Sequence, residues 1–282
     1  FYSDFSRHNR QHTHEWDFVD PSLINNRIFG DHGLNDVGLQ LSWLAPTDFY
    51  LLSGVELYQG DNEISFAYDG DDPLPRRRGP RVFTGWIRGA PGLPERHGLE
   101  IGGFGGTGVH QEVHDGNADG TRDHWLHGYS TFFGIDLIYK YDDFRSHGRG
   151  DFTFEAQYLH RIKDLDIEQH DLKPVFRGRE KEERNDGYYL QAVYGFYPRW
   201  RTGVRWDHIG LINSADLPDG SEEDFDPSRR LSGMVDFSPT EFSRLRLQMS
   251  HGHYETDEGG ENAFEVFFQV MISMGTHGAH KF

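Results

Sequence analysis

Long runs of alternating apolar and polar residues constrain the fold of this chain more than any other feature. In the last run, Phe264, Val266, Phe268, Val270, Ile272 and Met274 share one parity, and Glu265, Gln269 and Ser273 share the other. Successive side chains of a β-strand point to opposite faces, so the run predicts a strand with one apolar and one mostly polar face. It is longer than the strands of globular proteins, which usually have about five or six residues.

Similar alternation recurs along the chain, and the segments between the runs alternate in length. Short turns are predicted at 45–48, 92–95, 142–150, 197–199 and 238–241, and long polar loops around 8–36, 60–80, 110–124, 164–186, 212–229 and 254–261. Bacterial outer-membrane barrels have short periplasmic turns, long outer loops and tilted strands of about 9–11 residues. The pattern therefore predicts an all-β chain, a transmembrane antiparallel β-barrel of about twelve strands with long extracellular loops.

The alternative is a soluble β-sandwich, whose strands also alternate. Aromatic residues at strand ends favour the membrane barrel, because such barrels carry aromatic girdles at both interfaces. The predicted girdle residues are Trp43, Phe49, Tyr50, Tyr139, Tyr141, Tyr188, Tyr189, Phe196 and Trp200. We therefore expect this chain in the bacterial outer membrane, where lipid and the barrel-assembly machinery are its partners and the terminal Phe282 is the assembly signal.

Composition agrees with that location once the strand pattern is known. A mean hydropathy of −0.72 averages an apolar outer face with a charged lumen and acidic loops. The net charge of −18 argues against a nucleic-acid partner, and the absence of cysteine excludes disulfides and thiolate sites. The sequence begins at Phe1 without an initiator Met, and Phe1–Phe5 has the pattern of a strand entered partway. We expect residues 1–282 to form one barrel domain that lacks N-terminal residues of the full-length protein.

Both ends of the chain resemble a family of porin-like outer-membrane barrels often catalogued as zinc-regulated outer-membrane receptors. The resemblance lies in residues 9–15 (NRQHTHE), 29–34 (FGDHGL), 38–46 (GLQLSWLAP) and 274–282 (MGTHGAHKF). It implies a porin-type barrel with further strands before the first motif, and a link to zinc.

The polar parity predicts a charged lumen. Its candidate selectivity residues are Arg205, Arg230, Arg244, Arg246, Asp136, Glu155 and Glu265. The four arginines form a basic ladder compatible with an anion preference, since rings of one charge set ion selectivity. Alternatively, they pair with facing carboxylates and stiffen the wall.

Two loop motifs predict metal sites. His8, His12, His14 and Glu15 offer ligands that suit zinc, because residues two apart in an extended chain point the same way. Asp115, Asn117, Asp119 and Asp123 match the oxygen-ligand spacing of a calcium loop, although Leu126 stands where the bidentate Glu would be. The alternatives are solvated histidines and an ion-free turn.

No catalytic motif stands out, so an enzyme is not expected. We expect a porin-like channel for small polar or ionic solutes that requires no cofactor, with calcium or zinc as candidate ligands of the outer loops. The alternative is a structural barrel that sheathes or anchors a partner, such as a cytochrome conduit. A homo-oligomer or a partner chain in the lumen fits either function.

Overall fold

Twelve β-strands form a single antiparallel sheet. The computed structural model describes residues 1–61, 63–66, 79–114, 124–256 and 259–273. Consecutive strands pair from β1 to β8 and from β10 to β12. Strand β8 pairs directly with β10, and the short β9 pairs with β8 alone. The all-β antiparallel prediction is confirmed. The strands are β1 (Gly38–Leu44), β2 (Tyr50–Tyr58), β3 (Val82–Ala90), β4 (His97–His114), β5 (His124–Tyr141), β6 (Phe152–His170), β7 (Glu180–Tyr197), β8 (Trp200–Asp216), β9 (Glu222–Asp224), β10 (Ser228–Thr240), β11 (Ser243–Thr256) and β12 (Gly259–Ile272).

In the part of the chain that the structure describes, three short α-helices accompany the sheet: α1 (Arg7–Arg10), α2 (Leu23–Phe29) and α3 (Glu63–Phe66). Ser6 caps α1, because its side chain accepts a hydrogen bond from the Asn9 N–H at 3.2 Å. Gly30 ends α2 at a φ of 72°, a conformation that favours glycine. Within the described residues, no helix is long and apolar enough to cross a membrane.

Several strands extend into segments that the sequence predicts as loops. Strand β6 continues to His170, β7 begins at Glu180 and β8 ends at Asp216, so much of the predicted loops 164–186 and 212–229 is paired. Residues 254–261 are not a long loop either, because Thr256 of β11 pairs with Gly259 of β12. Backbone pairing does not require apolar side chains. The ladders therefore continue past the point where the apolar alternation ends.

Residues 1–36, which we call the N-terminal segment, differ most from the sequence prediction. Phe1–Phe5 forms no strand, and Tyr2 makes only an isolated bridge with Asn35. Residues 8–36 are not an outer loop, because they carry α1 and α2 and pack against the inner face of the sheet. The Leu34 carbonyl holds the two ends of the segment together by accepting hydrogen bonds from the Ser3 N–H and from Asn9 Nδ2.

The outward face of the later strands is apolar. Strand register aligns its side chains across β8, β10, β11 and β12 in four rows: Trp200–Phe237–Leu245–Val270, Thr202–Val235–Leu247–Phe268, Val204–Gly233–Met249–Val266 and Trp206–Leu231–His251–Phe264. We call these rows the apolar belt. Phe268 is 71% exposed and Phe264 66% exposed. On β12 the outward apolar residues run from Phe264 to Ile272, close to the length of about 9–11 residues with which a tilted strand crosses a bilayer.

An apolar core lies on the inner face. Five apolar side chains of the N-terminal segment contribute to it: Phe5, Ile24, Ile28, Phe29 and Leu34. They pack against Phe66 of α3 and against strand residues Tyr58, Val82, Trp86, Phe104, Phe132, Leu159 and Ile209. Gly106 and Gly108 of β4 make room for this core, since an added Cβ would lie 2.7 Å from the Phe132 ring and 2.6 Å from the Phe66 ring.

Candidate functional site

The candidate site is the interior of the sheet, which the N-terminal segment fills. Side chains of nine strands contact this segment: Glu56 (β2), Arg88 (β3), Glu100 (β4), Asp136 (β5), Glu155 (β6), Tyr189 (β7), Arg205 (β8), Arg230 (β10) and Arg246 (β11). A segment of 36 residues can touch nine successive strands only if the sheet curves around it.

Two arginines and two aspartates form a buried quartet. Asp207 Oδ2 accepts hydrogen bonds from Arg205 Nε at 3.0 Å and from Arg230 Nε at 3.2 Å. Asp20 of the N-terminal segment lies on the other side of both guanidinium groups, accepting from Arg205 Nη2 at 2.9 Å and from Arg230 Nη1. Gln248 Nε2 adds a third bond to Asp20, at 2.6 Å.

The quartet favours the charged form of Asp20. Burial alone would raise the pKa of Asp20, but the guanidinium groups of Arg205 and Arg230 and the bond from Gln248 hold it below its ordinary value. The Arg205 guanidinium also lies 4.6 Å from the centre of the Phe18 ring. The charges of the quartet cancel, so these two arginines do not form a free basic ladder.

A second cluster of charges lies beside the quartet. Arg201 donates to Asp17 at 2.9 Å and makes a bidentate pair with Asp236 at 3.1 and 2.6 Å. Arg246 Nη2 donates to the Trp16 carbonyl at 2.8 Å and lies 3.7 Å from Asp236. Arg244 donates to the same carbonyl at 3.4 Å. Burial raises the pKa of Asp17, but the guanidinium groups of Arg201, Arg244 and Arg246 lower it below its ordinary value.

The two clusters together keep a small positive excess. They contain the arginines 201, 205, 230, 244 and 246 and the aspartates 17, 20, 207 and 236. Five positive charges and four negative ones leave a net charge of one.

Carboxylates on the earlier strands receive the start of the segment. Glu155 accepts from Arg7 Nε at 3.2 Å and from the Tyr189 hydroxyl at 2.6 Å, and Asp136 accepts from the Arg7 N–H at 2.6 Å. Glu56 accepts from the Asp4 N–H at 2.8 Å. Tyr189 is therefore an interior residue, and its prediction as a girdle residue is wrong; its neighbour Tyr188 takes the opposite face of β7.

Sequence reasoning located the strand half of this site and missed the other half. Of the predicted lumen residues, Arg205, Arg230, Arg246, Asp136 and Glu155 are buried on the inner face and Arg244 contacts the segment. Glu265 lies apart on β12, where it accepts from the Tyr254 hydroxyl at 3.3 Å. Asp17 and Asp20 were missed. Composition carried no signal for this half, because the apolar content of residues 1–36 is no higher than that of the whole chain.

The predicted zinc ligands are not brought together. The His8 ring stacks on Trp16 with 4.8 Å between centroids, and the His12 and His14 rings stack on each other at 5.5 Å. His12 donates its N–H to Glu15 Oε2 at 3.0 Å. Throughout the described part of the chain, no three His, Asp or Glu residues are grouped as a metal site. Zinc binding stays a prediction. Asp115, Asn117, Asp119, Asp123 and Phe282 lie outside the described residues.

Comparisons with known proteins give one relative by sequence. No family model matches the chain. An uncharacterized protein of Aquifex aeolicus is 32% identical over 297 residues, an alignment that covers 100% of this chain and 59% of the relative. The chain thus spans 59% of the length of the relative it matches.

Solved structures show low similarity. OmpT, an outer membrane protein of Vibrio cholerae, has a TM-score of 0.46 at 10% identity and matches 89% of this chain and 65% of its own. The outer membrane channel DcaP of Acinetobacter baumannii has a TM-score of 0.37 at 10% identity, with 84% and 85% coverage. The CymD monoaromatic hydrocarbon channel has a TM-score of 0.27 at 9% identity, with 86% and 87% coverage. The fold assignment above therefore stands on the strand pairing alone.

Proposed function

We propose that this chain is an outer-membrane channel protein of the porin type whose bore is constricted by its own N-terminal segment. The carrying observation is the contrast between the two faces of one sheet. The outward face presents an apolar belt, and the inward face holds buried ion pairs around residues 1–36.

The apolar belt supports a membrane location. Monomeric soluble proteins rarely expose contiguous apolar patches larger than a few hundred Å². Here large apolar side chains stand next to one another on four strands, and a sandwich would bury that face against a second sheet. Aromatic residues also gather at the short-turn ends, where Trp43, Phe49, Phe196, Tyr197 and Trp200 are exposed. Membrane barrels place aromatic residues at such interfaces.

The interior supports passage of polar solutes by a route that the N-terminal segment controls. Its strand residues are charged, as in the wet lumen of a porin. Two cavities beside the segment hold about 10 Å³ each, roughly one water molecule. Conduction of larger ions therefore requires the segment to shift. The paired clusters carry one net positive charge, so we expect the part of the bore that they line to favour anions weakly.

Planar-bilayer recordings test this function. We expect the parent chain to conduct poorly and the D17N/D20N variant to conduct more, because both substitutions remove carboxylates that hold the segment. Losing two negative charges raises the net charge of the clusters from one to three, so the reversal potential should shift towards anion selectivity. D31N, which changes an exposed aspartate of the same segment, is the control. A folded D17N/D20N chain with parent-like conductance would contradict the proposal.

The sheath alternative is less well supported. A partner chain running through the barrel would need the space that residues 1–36 occupy. The link to zinc suggested by the family resemblance is not needed for the proposed channel.

A further inference from the structure

On its loop side the apolar belt is followed by a row that carries one arginine, two histidines and one asparagine. The next outward row in register is His208 (β8), Arg229 (β10), His253 (β11) and Asn262 (β12). Within the belt, the residue two positions away on β10 is Leu231, and on β8 it is Trp206. Arg229 thus stands directly beyond the last row of the belt.

Arg229 is the exposed cation at the centre of this row. No carboxylate of the described residues forms an ion pair with its guanidinium, and the ionisable side chain that interacts with it there is His208. Every other arginine on the facing strands β8, β10 and β11 contacts Asp17, Asp20 or the Trp16 carbonyl in the interior. Arg229 is therefore available to a partner outside the sheet.

Two histidines flank Arg229 on its neighbouring strands. His208 is 8% exposed and stacks on Tyr188 at 5.3 Å, and the His253 ring lies 3.1 Å from Asn262 Oδ1. Adjacent strands lie about 4.8 Å apart, so the three side chains form a line of about 10 Å. His251 is also exposed, in the last row of the belt. Glu255 follows on the loop side of His253, away from the belt.

We propose that Arg229, with His208 and His253 beside it, binds the phosphate of an anionic lipid headgroup whose acyl chains lie along the apolar belt. The inference depends on the proposed membrane location. A guanidinium forms two parallel hydrogen bonds to phosphate, and basic residues next to a membrane attract anionic lipids. The belt below Arg229 supplies the apolar surface that a free phosphate ion would not need.

Brominated lipids provide the test, because bromine on an acyl chain quenches a tryptophan that it touches. In a W43F/W200F background, Trp206 is the tryptophan that remains in the belt, one row from Arg229. The full chain is placed in vesicles of phosphatidylcholine with increasing phosphatidylglycerol, with bromine on one lipid at a time. The binding constant of phosphatidylglycerol relative to phosphatidylcholine is then measured for each variant.

R229Q should lower that relative binding constant about fivefold, the contribution of one basic residue near an anionic surface. H208Q/H253Q should lower it less. R177Q removes the same charge from an exposed loop residue and should leave the constant unchanged. If R229Q and R177Q both floated with the vesicles and had equal relative binding constants for phosphatidylglycerol, the proposed lipid contact would be overturned. The proposed membrane location would still stand.

Inorganic phosphate distinguishes the two sources of phosphate. If millimolar phosphate displaced phosphatidylglycerol from the parent chain, Arg229 would be a small-anion site, and the lipid proposal would be overturned. If no variant or parent chain floated with vesicles, the membrane location would fail first, and the lipid contact with it.

Discussion

Replacing Asp20 by Asn should release the middle of the N-terminal segment from the sheet. The Asp20 carboxylate accepts bonds from Arg205, Arg230 and Gln248, and its side chain is 18% exposed. Removing one partner of a buried ion pair costs about 3–5 kcal/mol, because the remaining charge stays buried. Asp207 would still pair with both arginines. We therefore expect the lower end of that range, about 3 kcal/mol.

Two backbone amides report this release directly. Val19 N–H donates to Gln248 Oε1 at 2.7 Å, and Leu23 N–H donates to Asp207 Oδ1 at 3.0 Å. Both amides exchange with solvent when the segment leaves the sheet. A cost of about 3 kcal/mol changes the ratio of docked to released segment by about 150-fold, since 1.36 kcal/mol is one factor of ten. Hydrogen exchange at these two amides should accelerate by a similar factor in D20N.

D31N is the matched control. Asp31 is exposed and accepts a bond from Asn26 at 3.0 Å, so its replacement removes the same charge from the same segment without touching an arginine. Exchange at Val19 and Leu23 should stay at the parent rate in D31N. If D20N and D31N exchanged at equal rates, the quartet would not be what holds the segment, and the reasoning would be refuted.

Three further outcomes can be measured. Burial lowers the pKa of His8 from 6.5 to about 3, so between these pH values the unfolded chain binds a proton that the folded chain does not. The free energy of unfolding should therefore fall as pH drops from 6.5 towards 3, by at most about 1.4 kcal/mol per pH unit for this half-buried ring. An H8Q chain that showed the same dependence on pH by chemical denaturation would contradict this. Phe29→Ala should lower the free energy of unfolding by about 3–5 kcal/mol, because the ring is 1% exposed in the inner core; a loss below 1 kcal/mol would mean that the core relaxes around it. Isothermal titration with zinc should give weaker binding in H12A/H14A than in the parent, and equal affinity would end the zinc hypothesis.

The alternation of residue types was sufficient to predict the sheet and the face that most of the named strand residues take. It places Arg205 and Asp207 on the inner face together, because residues two apart share a face. Alternation also explains why the girdle prediction is wrong for Tyr189. Adjacent residues of a strand take opposite faces, so Tyr188 and Tyr189 cannot both face lipid. Strand length was less predictable, because the strands are paired beyond the apolar belt by backbone hydrogen bonds. These bonds do not require a particular pattern of residue types.

The position of the N-terminal segment could not be derived from local pattern. Asp20 meets Arg230 across 210 residues of sequence, and the Val19 amide meets Gln248 across 229. Periodicity describes neighbours along a strand and carries no information about contacts over such separations. The apolar content of residues 1–36 is no higher than that of the whole chain, so composition does not indicate that the segment is buried or which strands bury it.

Those separations also set the order in which the molecule can be completed. Ribosomes add about 5–20 residues per second, so Asp20 waits roughly 10–50 s before Arg230 and Gln248 have been made. Contacts between distant residues form slowly, because the chain between them must close a long loop. The bonds of residues 17–20 to Arg230 and Gln248 therefore need β10 and β11 in place. In a chain that ends before β10, Asp20 has neither Arg230 nor Gln248 as a partner. A fully docked segment therefore indicates that β10 and β11 are already part of the sheet.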